Sequence, residues 1–170
     1  MLRNAKSEKK HSLDATDRKI LHHLQQDATL TVQELSRRIN LSATPCWRRI
    51  RQMEAAGIIL RRVTVLDPDR IGVGTTVFVR VKTRHHTIEW YRRFARAVAG
   101  IPEIVEFYRM SGDIDYLLKI VVPDIAGYDA VYKRLISAVD LEDVSSSFAL
   151  ERIKSTTALP LDYLGLERGR

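Results

Sequence analysis

The sequence contains very little cysteine: Cys46 is the single one among 170 residues. One thiol cannot form a disulfide within the chain, so a disulfide-stapled secreted scaffold is excluded. Apolar runs are short too, since none approaches the roughly 18 residues of a membrane-spanning helix, and the first residues lack the apolar segment of a signal peptide. These absences predict a protein of the reducing cytoplasm that has no membrane partner.

Patterns typical of catalysis or metal binding are also scarce. Four of the five histidines form two adjacent pairs, His22-His23 and His85-His86. Adjacent side chains on a helix point about 100° apart, so neither pair chelates a metal easily. The sequence shows no Ser/His/Asp set, phosphate-cradling loop or nucleotide fingerprint. We therefore expect a protein that is not an enzyme and has no metal or other cofactor.

Positive charge, by contrast, is in excess and concentrated in one third of the chain. Residues 1–66 hold 13 Lys or Arg and 6 Asp or Glu, a net charge of +7, whereas residues 67–170 hold 15 of each sign. A localised basic surface suits a polyphosphate partner, because neutralising phosphates releases counterions and drives association. The distribution favours binding of double-stranded DNA by the N-terminal part.

Two short helices joined by a tight turn are predicted between Thr31 and Gly57. Thr31 to Glu34 has the Thr-x-x-Glu pattern of a capping box, which satisfies amide groups at a helix start. Residues 40–42 break this helix, after which Ser42 is expected to cap the second helix and Gly57 to end it. Such a pair is the frame of a helix-turn-helix motif.

The second of these helices sorts its side chains by angle. At about 100° per residue, Cys46, Ile50 and Met53 share an apolar face, so Cys46 is predicted as a core residue, with a redox-sensing thiol as the alternative. The opposite face offers groups that suit guanine edges and phosphate oxygens. A merely solvated basic face is the other interpretation. The predicted DNA contacts are Ser42, Thr44, Arg48 and Arg51, with Arg49 at the edge of the buried face as a phosphate or structural contact.

The remaining elements complete two domains. A helix over 14–26 makes the N-terminal part a three-helix unit, and a strand over Ile58 to Leu66 is predicted as a wing. Beyond a joint near 71–74, strands are predicted at 75–82, 104–110, 115–122 and 144–154, and helices at 87–99 and 124–139. This β-α-β-β-α-β order is that of a ferredoxin-like domain, so the chain is predicted to be α+β. The open sheet face needs a cover, and a second copy of the chain is the simplest candidate.

A turn between two predicted strands combines a glycine with two acids. In Ser111-Gly112-Asp113-Ile114-Asp115, carboxylates suit a ligand ammonium group, while free amides near Gly112 suit a ligand carboxylate. The turn is therefore a candidate amino-acid site. An ordinary Gly-Asp hairpin turn is the alternative, and the residues alone favour it.

Three motifs occur in order along the chain. They are Leu13-Asp14-x-x-Asp17-Arg18-Lys19-Ile20-Leu21, Leu41-Ser42-x-Thr44-Pro45-Cys46-x-x-Arg49-Ile50 and Gly112-Asp113-x-Asp115-Tyr116-Leu117-Leu118. From about Leu13 to Pro160 the chain resembles the Lrp/AsnC regulators, the leucine- and asparagine-responsive transcription factors of bacteria and archaea. The resemblance implies an N-terminal winged helix-turn-helix and a C-terminal ferredoxin-like ligand-binding domain. It also implies a homodimer that joins through its C-terminal sheets and assembles to an octamer, with a small amino-acid effector bound between dimers.

Carried over residue by residue, the resemblance implies an effector site around the Gly112 turn, with Asp115 receiving the ligand ammonium. Its candidate residues are Arg109, Met110, Ser111, Gly112, Asp113 and Asp115, with Ile125, Phe148 and Ala149 as neighbours. A narrower likeness, carried by Leu41-x-x-Thr44-Pro45-Cys46-Trp47 and Lys82-Thr83-x-His85-His86 among other segments, is to the DecR-type branch of the family. That branch responds to cysteine.

The expected protein is thus a sequence-specific transcriptional regulator whose assembly and operator binding are modulated by a small amino acid, with cysteine as the candidate. Two alternatives remain: a global chromosome-organising DNA-binding protein, and a ferredoxin-like small-molecule-binding protein whose helical head mediates assembly. The predicted divisions are a flexible basic arm (1–12), a winged helix-turn-helix domain (13–66), a hinge (67–74), an amino-acid-sensing and oligomerisation domain (75–160) and a C-terminal tail (161–170).

Overall fold

The computed structural model describes residues 13–164, which divide into two units. The helical unit holds residues 13–64 and 155–164, and the sheet unit holds Val65–Lys154. The combination of a helical unit with a helix-covered antiparallel sheet confirms the predicted α+β class. The basic arm predicted at 1–12 lies outside the described residues, as does the end of the predicted tail at 165–170.

Three helices build the helical unit, each beginning at a residue that the sequence pattern indicates. They are α1 (Ala15–Gln26), α2 (Val32–Arg38) and α3 (Ala43–Ala55). The predicted capping box at α2 is formed, with Glu34 N donating to Thr31 Oγ1 and Thr31 N donating to Glu34 Oε2. A second capping box, between Asp14 and Asp17, starts α1. These side chains satisfy amides that have no partner inside their helices.

Helix α3 ends at Ala55, and Gly57 follows as the predicted C′ residue, just after the cap residue Ala56. The glycine has a φ of +68°, a left-handed conformation that is costly for a residue with a Cβ. Its amide donates to the Glu54 carbonyl, and the Ile58 amide donates to the Met53 carbonyl. This pair of bonds is a Schellman motif, which satisfies the last carbonyls of α3.

Apolar residues from all three helices pack into one core. Its buried members are Ile20, Leu30, Leu35, Ile39, Cys46, Ile50 and Met53. Cys46 is fully buried there, and this burial raises the pKa of its thiol. A neutral thiol without solvent contact is a poor nucleophile, so the geometry supports the core role of Cys46 and not the redox-sensing one.

The strand predicted over Ile58 to Leu66 is not formed within residues 13–164. Residues 60–67 follow α3 without regular backbone pairing. A strand needs a neighbouring strand for its amides and carbonyls, and every strand of the described chain belongs to the sheet at 75–148. The apolar side chains of this segment are consequently more than half exposed; they are Leu60, Val63, Val65 and Leu66.

Residues 155–164 return to the helical unit through a two-point contact. The side-chain carboxamide of Gln25, near the end of α1, donates to the Leu159 carbonyl oxygen at 2.9 Å and accepts from the Leu159 amide at 3.0 Å. Arg18, two turns earlier on α1, lies 3.9 Å from Asp162. The Gln25 carboxamide thus satisfies both backbone groups of Leu159, as a neighbouring strand would.

The sheet unit has the predicted order of strands and helices. Its elements are β1 (Thr75–Lys82), α4 (Ile88–Ala99), β2 (Ile104–Arg109), β3 (Tyr116–Val122), α5 (Ile125–Ala138) and β4 (Asp143–Phe148). The strands form an antiparallel sheet in the order β2-β3-β1-β4. This arrangement confirms the predicted ferredoxin-like topology.

Strand β4 is shorter than the predicted 144–154. Phe148 pairs with Val77, and the last bond of the ladder runs from the Ala149 amide to the Thr76 carbonyl. In this register Thr75, the first residue of β1, lies opposite Leu150, so residues after Leu150 have no strand to pair with. Leu150 itself is fully exposed.

One face of the sheet is packed against helices α4 and α5, and the other is open. Alternation along β1 buries Val77, Val79 and Val81 under the helices, where they pack around the fully buried Phe94. The open face presents the other side chains of β1, including Phe78, which is 39% exposed. Among the described residues, no helix has the length and apolar character needed to cross a membrane.

Candidate nucleic-acid interface and effector site

The outward face of α3 carries most of the predicted DNA contacts. Ser42, Thr44, Arg48 and Arg51 are exposed, while Ile50 and Met53 anchor the opposite face in the core. Within residues 13–164, Arg48 has no hydrogen-bond or ion-pair partner. An arginine with five donors and no internal acceptor is free to bind phosphate or a base edge.

Arg51 has a weak internal partner. Its Nη1 lies 2.9 Å from Glu54 Oε2, and the other oxygen of Glu54 lies 3.7 Å from Arg62 Nη2. The Arg51 side chain is 65% exposed. A surface ion pair of this kind contributes about 0–1 kcal/mol, so Arg51 can exchange the carboxylate for a phosphate at small cost.

Arg49 is a structural residue in this geometry. Its Nη1 bonds Asp14 Oδ2 at 2.7 Å and Asp17 Oδ1 at 2.9 Å, which joins α3 to the start of α1. Hydrogen bonds to Asp17 and Asp14 raise the pKa of Arg49. The pKa of Asp14 is lowered first by the Asp17 amide and then by Arg49. Of the two roles predicted for Arg49, these contacts support the structural one.

Ser42 occupies the N-cap position of α3, but the predicted cap is absent. Its φ and ψ of −73° and 153° are those of an N-cap residue. Within the described chain, its side chain makes no capping hydrogen bond. The hydroxyl and the first amides of α3 therefore remain available on the same exposed surface as Thr44.

Trp47 is an exposed residue of this face that is not among the predicted contacts. Its side chain is 54% exposed, and with Thr44 and Ala43 it borders a shallow depression of about 280 Å³ against the start of α2. Helical periodicity indicates its position on this face, because Trp47 follows Thr44 by three residues and precedes Arg51 by four. The indole therefore lies among the predicted contacts.

The Gly112 turn is a hairpin between β2 and β3. Gly112 has a φ of +108°, which only glycine adopts readily, and the Met110 amide donates to the Asp115 carbonyl at 2.8 Å. Ser111, Gly112 and Asp113 are exposed. The turn thus has hairpin geometry and also presents polar groups that a ligand can reach.

Asp115 is partly engaged within its own chain. Its Oδ2 accepts from the Thr83 amide at 2.8 Å, and its own amide donates to the Val81 carbonyl. The other oxygen, Oδ1, lies 3.9 Å from His86 Nδ1. Oδ1 is therefore the oxygen at which Asp115 can meet a ligand ammonium group.

The predicted effector residues fall into two groups at opposite ends of the sheet. The loop group is Arg109, Met110, Ser111, Gly112, Asp113 and Asp115; the end group is Ile125, Phe148 and Ala149. The loop group adjoins β1 at Val81, whereas Ala149 adjoins β1 at Thr76. Five residues of strand separate these points by about 17 Å, which is longer than a free amino acid. One chain does not bring the two groups together.

Neither histidine pair belongs to a cluster of metal-ligating side chains in the described part of the chain. His85 Nε2 is 3.3 Å from Asp140 Oδ2, and the rings of His22 and His23 are edge to face with centroids 5.5 Å apart. Among residues 13–164, no three side chains of His, Cys, Asp or Glu converge as a metal ion requires.

Family comparison matches both units of the chain. The winged helix-turn-helix DNA-binding model matches residues 13–59, and the Lrp/AsnC ligand binding domain model matches residues 76–159. The chain is 50% identical over 151 residues to the DNA-binding transcriptional activator DecR of Escherichia coli strain K12, covering 88% of this chain and 99% of DecR. It is 53% identical over 149 residues to the glutamate uptake regulatory protein of Zymomonas mobilis, covering 88% and 91%.

Solved structures agree with these matches. The AsnC family transcriptional regulator of Agrobacterium tumefaciens is 58% identical, with a TM-score of 0.87 over 89% of this chain and 99% of that one. A transcriptional regulator of Neisseria meningitidis in complex with L-methionine is 39% identical, with a TM-score of 0.85 over 90% and 99%. Both similarities extend over the helical unit and the sheet unit.

Proposed function

Since the chain belongs to the Lrp/AsnC family of DNA-binding transcriptional regulators, we propose that it binds a specific operator through the outward face of α3 and that a small amino acid adjusts this binding. The observation that carries the proposal is the exposure of Arg48 and Arg51 opposite a buried apolar ridge. In this proposal Ser42 and Thr44 contact the same duplex. The protein acts in the cytoplasm by binding alone, with no catalytic step and no cofactor besides the effector.

The proposed domain limits follow the sequence, with 13–66 as the DNA-binding domain, 67–74 as the hinge and 75–160 as the sensing domain. The net charge of +7 over residues 1–66 supports a polyphosphate partner for the first domain. The described segment 155–164 is part of the helical unit, so in this proposal the end of the sensing domain contributes to the DNA-binding unit.

The open face of the sheet supports a homodimer. Phe78 on β1 and Tyr108 on β2 are 39% and 49% exposed there, and such large side chains gain free energy when a partner surface covers them. A second copy presents the same face and so forms a closed two-fold interface. Assembly of dimers to an octamer is the further step of this proposal.

The effector site is proposed to lie between copies of the chain. The loop group around Gly112 supplies the carboxylate of Asp113, Oδ1 of Asp115 and exposed backbone groups. The end group supplies exposed apolar surface from Ile125, which is 71% exposed, and Phe148, which is 41% exposed. An amino acid has a charged end and a side chain, so it needs both kinds of surface. Because one chain holds the two groups about 17 Å apart, two copies must bring them together.

The identity of the effector is proposed from the relatives. The likeness to DecR favours cysteine, while the names of other relatives point to glutamate and L-methionine. A thermal-shift screen of the common amino acids should therefore show one clear stabiliser, because a ligand that binds the native state raises its melting temperature by mass action. At a concentration 100 times its Kd, the expected gain in the free energy of unfolding is about 2.7 kcal/mol.

The screen has a matched control in the D-enantiomers, which carry the same charges with the opposite geometry at Cα. A shift for L-cysteine and not for D-cysteine supports the narrower proposal. A shift for another amino acid rejects cysteine and keeps the amino-acid site. No shift for any amino acid contradicts the effector half of the proposal.

Sequence preference separates the proposed regulator from a chromosome-organising protein. Selection from a random duplex library should yield an approximately palindromic site, since a two-fold dimer presents two copies of α3. We expect the selected duplex to bind at least 10³ times more tightly than random duplex at the same salt concentration. A ratio near one would instead support the organising protein, and no affinity for either duplex would reject DNA binding.

A further inference from the structure

Trp47 is an aromatic residue on helix α3 that leaves more than half of its surface, 54%, in solvent. The second tryptophan of the chain, Trp90, is 4% exposed, and its Nε1 donates to the Asp140 carbonyl at 3.1 Å. Within the described residues, the indole N–H of Trp47 has no acceptor. Exposed indole surface of this size is typical of a surface that acquires a partner.

The position of Trp47 on α3 places it within the proposed DNA contacts. At about 100° per residue, the Trp47 side chain points roughly 60° from Thr44 and 40° from Arg51. A residue on the buried side would point toward Cys46, Ile50 and Met53, which fill the core. By the same geometry Trp47 lies roughly 60° from the buried Ile50 and roughly 100° from Arg48. The exposed indole therefore projects from the edge of the outward face that carries Thr44 and Arg51.

The surroundings of the indole are apolar as well as polar. The depression beside it is lined by Thr31, Val32 and Gln33 at the start of α2 and by Ala43 and Thr44 on α3. Four of these five residues, the two threonines, the valine and the alanine, carry methyl groups, so the depression beside the indole is partly apolar. Within the major groove, the one apolar feature on a base edge is the C5 methyl group of thymine.

We propose that Trp47 is a specificity residue that packs its indole against a thymine methyl group in the major groove. This inference rests on the proposed function, since it assigns a base to one residue of that interface. Arg48 and Arg51 bind phosphates or guanine edges through charge and hydrogen bonds. The flat apolar ring of Trp47 adds discrimination between thymine and cytosine, which differ at this position of the groove by the methyl group.

Uracil substitution tests the contact directly, because uracil differs from thymine only by lacking that methyl group. In the duplex obtained by selection, each thymine is replaced in turn by uracil, and binding of the full-length protein is measured. We expect one thymine in each half-site at which loss of the methyl group weakens binding about fourfold, the value of one buried methyl group. Trp47→Ala should remove the sensitivity at that thymine while still binding duplex.

Arg48→Ala is the matched control, because it weakens binding from the same helix without removing an apolar surface. It should retain the fourfold sensitivity to uracil.

Fluorescence gives an independent readout, since Trp47 is the exposed indole of the described chain and Trp90 is buried. Duplex addition should change the emission of the wild-type protein and leave that of Trp47→Phe unchanged.

Several outcomes overturn the inference while leaving the proposed function in place. One is that uracil substitution weakens binding of the wild type and of Trp47→Ala equally. Another is that the wild type binds a duplex selectively, yet replacing any of its thymines by uracil has no effect on binding. A loss of self-association in Trp47→Ala, seen by sedimentation, with unchanged uracil sensitivity also overturns it and assigns the indole to a protein interface. Failure of the wild type to prefer any duplex rejects the proposed function itself.

Discussion

Operator affinity is expected to fall by about 2–4 kcal/mol, roughly 30- to 1,000-fold, when Arg48 and Arg51 are both replaced by alanine. Each arginine contact to a base edge or phosphate contributes about 1–3 kcal/mol, and neighbouring contacts are not fully additive. Neither residue lies in the helical core, so the melting temperature should hardly change. Anisotropy of a labelled operator duplex at one salt concentration measures the loss.

Arg92 and Arg93 on α4 provide the matched control. Both are exposed and lie in the sheet unit, and replacing them by alanine removes the same two charges. If charge alone governs binding, the two double variants lose affinity equally. If the face of α3 is the interface, the α4 variant stays within about 0.5 kcal/mol of the wild type, as surface substitutions away from an interface do.

Response to the effector is expected to be lost completely in either of two single variants and restored when the variants are mixed. Asp113→Lys replaces one carboxylate of the loop group by a cation, which repels the ammonium group proposed to bind at Asp115, and Ala149→Trp fills space at the opposite end of the sheet. Both positions are exposed, so each variant should fold. The thermal shift of each variant alone should be absent at effector concentrations that stabilise the wild type.

Co-expressed variants form assemblies in which an intact loop from one copy meets an intact end from another. Such sites bind effector only if two copies share each site, so part of the thermal shift should return. A site built within one chain predicts no recovery, because every chain then carries one damaged half. An unchanged shift in either single variant removes that residue from the site.

Periodicity predicted much of this fold because most of its elements are stabilised by local or repeating features. The capping box at Thr31, the stop at Gly57 and the alternation of β1 depend on spacing within a few residues. Side chains that alternate or recur at helical spacing face a core whatever the rest of the chain does. The order of strands and helices follows directly from such patterns.

The errors concern features that depend on distant partners. Residues 58–66 have the composition of a strand, yet pairing requires a neighbouring strand that residues 13–164 do not supply. Strand β4 ends where β1 begins, although its sequence continues in a similar pattern. The ion pairs of Arg49 join residues 32 and 35 positions apart, and periodicity carries no information on such contacts.

In the candidate sites, too, features that depend on local spacing are predictable from the sequence, and features that depend on distant partners are not. The exposed face of α3 follows from helix angles, so Thr44, Arg48 and Arg51 were predicted from the sequence alone. Trp47, which the inference above adds to this face, is apolar, and the charge pattern that indicates the arginines carries no information on it. The separation of Asp115 from Ala149 along β1 appears only in the register of the strands, and it is this register that calls for a second copy.

The dependence of duplex affinity on salt concentration tests the central claim most directly. Binding through arginines that neutralise phosphates predicts that the logarithm of the association constant falls linearly with the logarithm of salt concentration, by about 0.9 for each phosphate neutralised. The Arg48→Ala/Arg51→Ala variant should then show a slope shallower by up to about two. A wild-type affinity that is independent of salt, or an identical slope in this variant, would contradict the account.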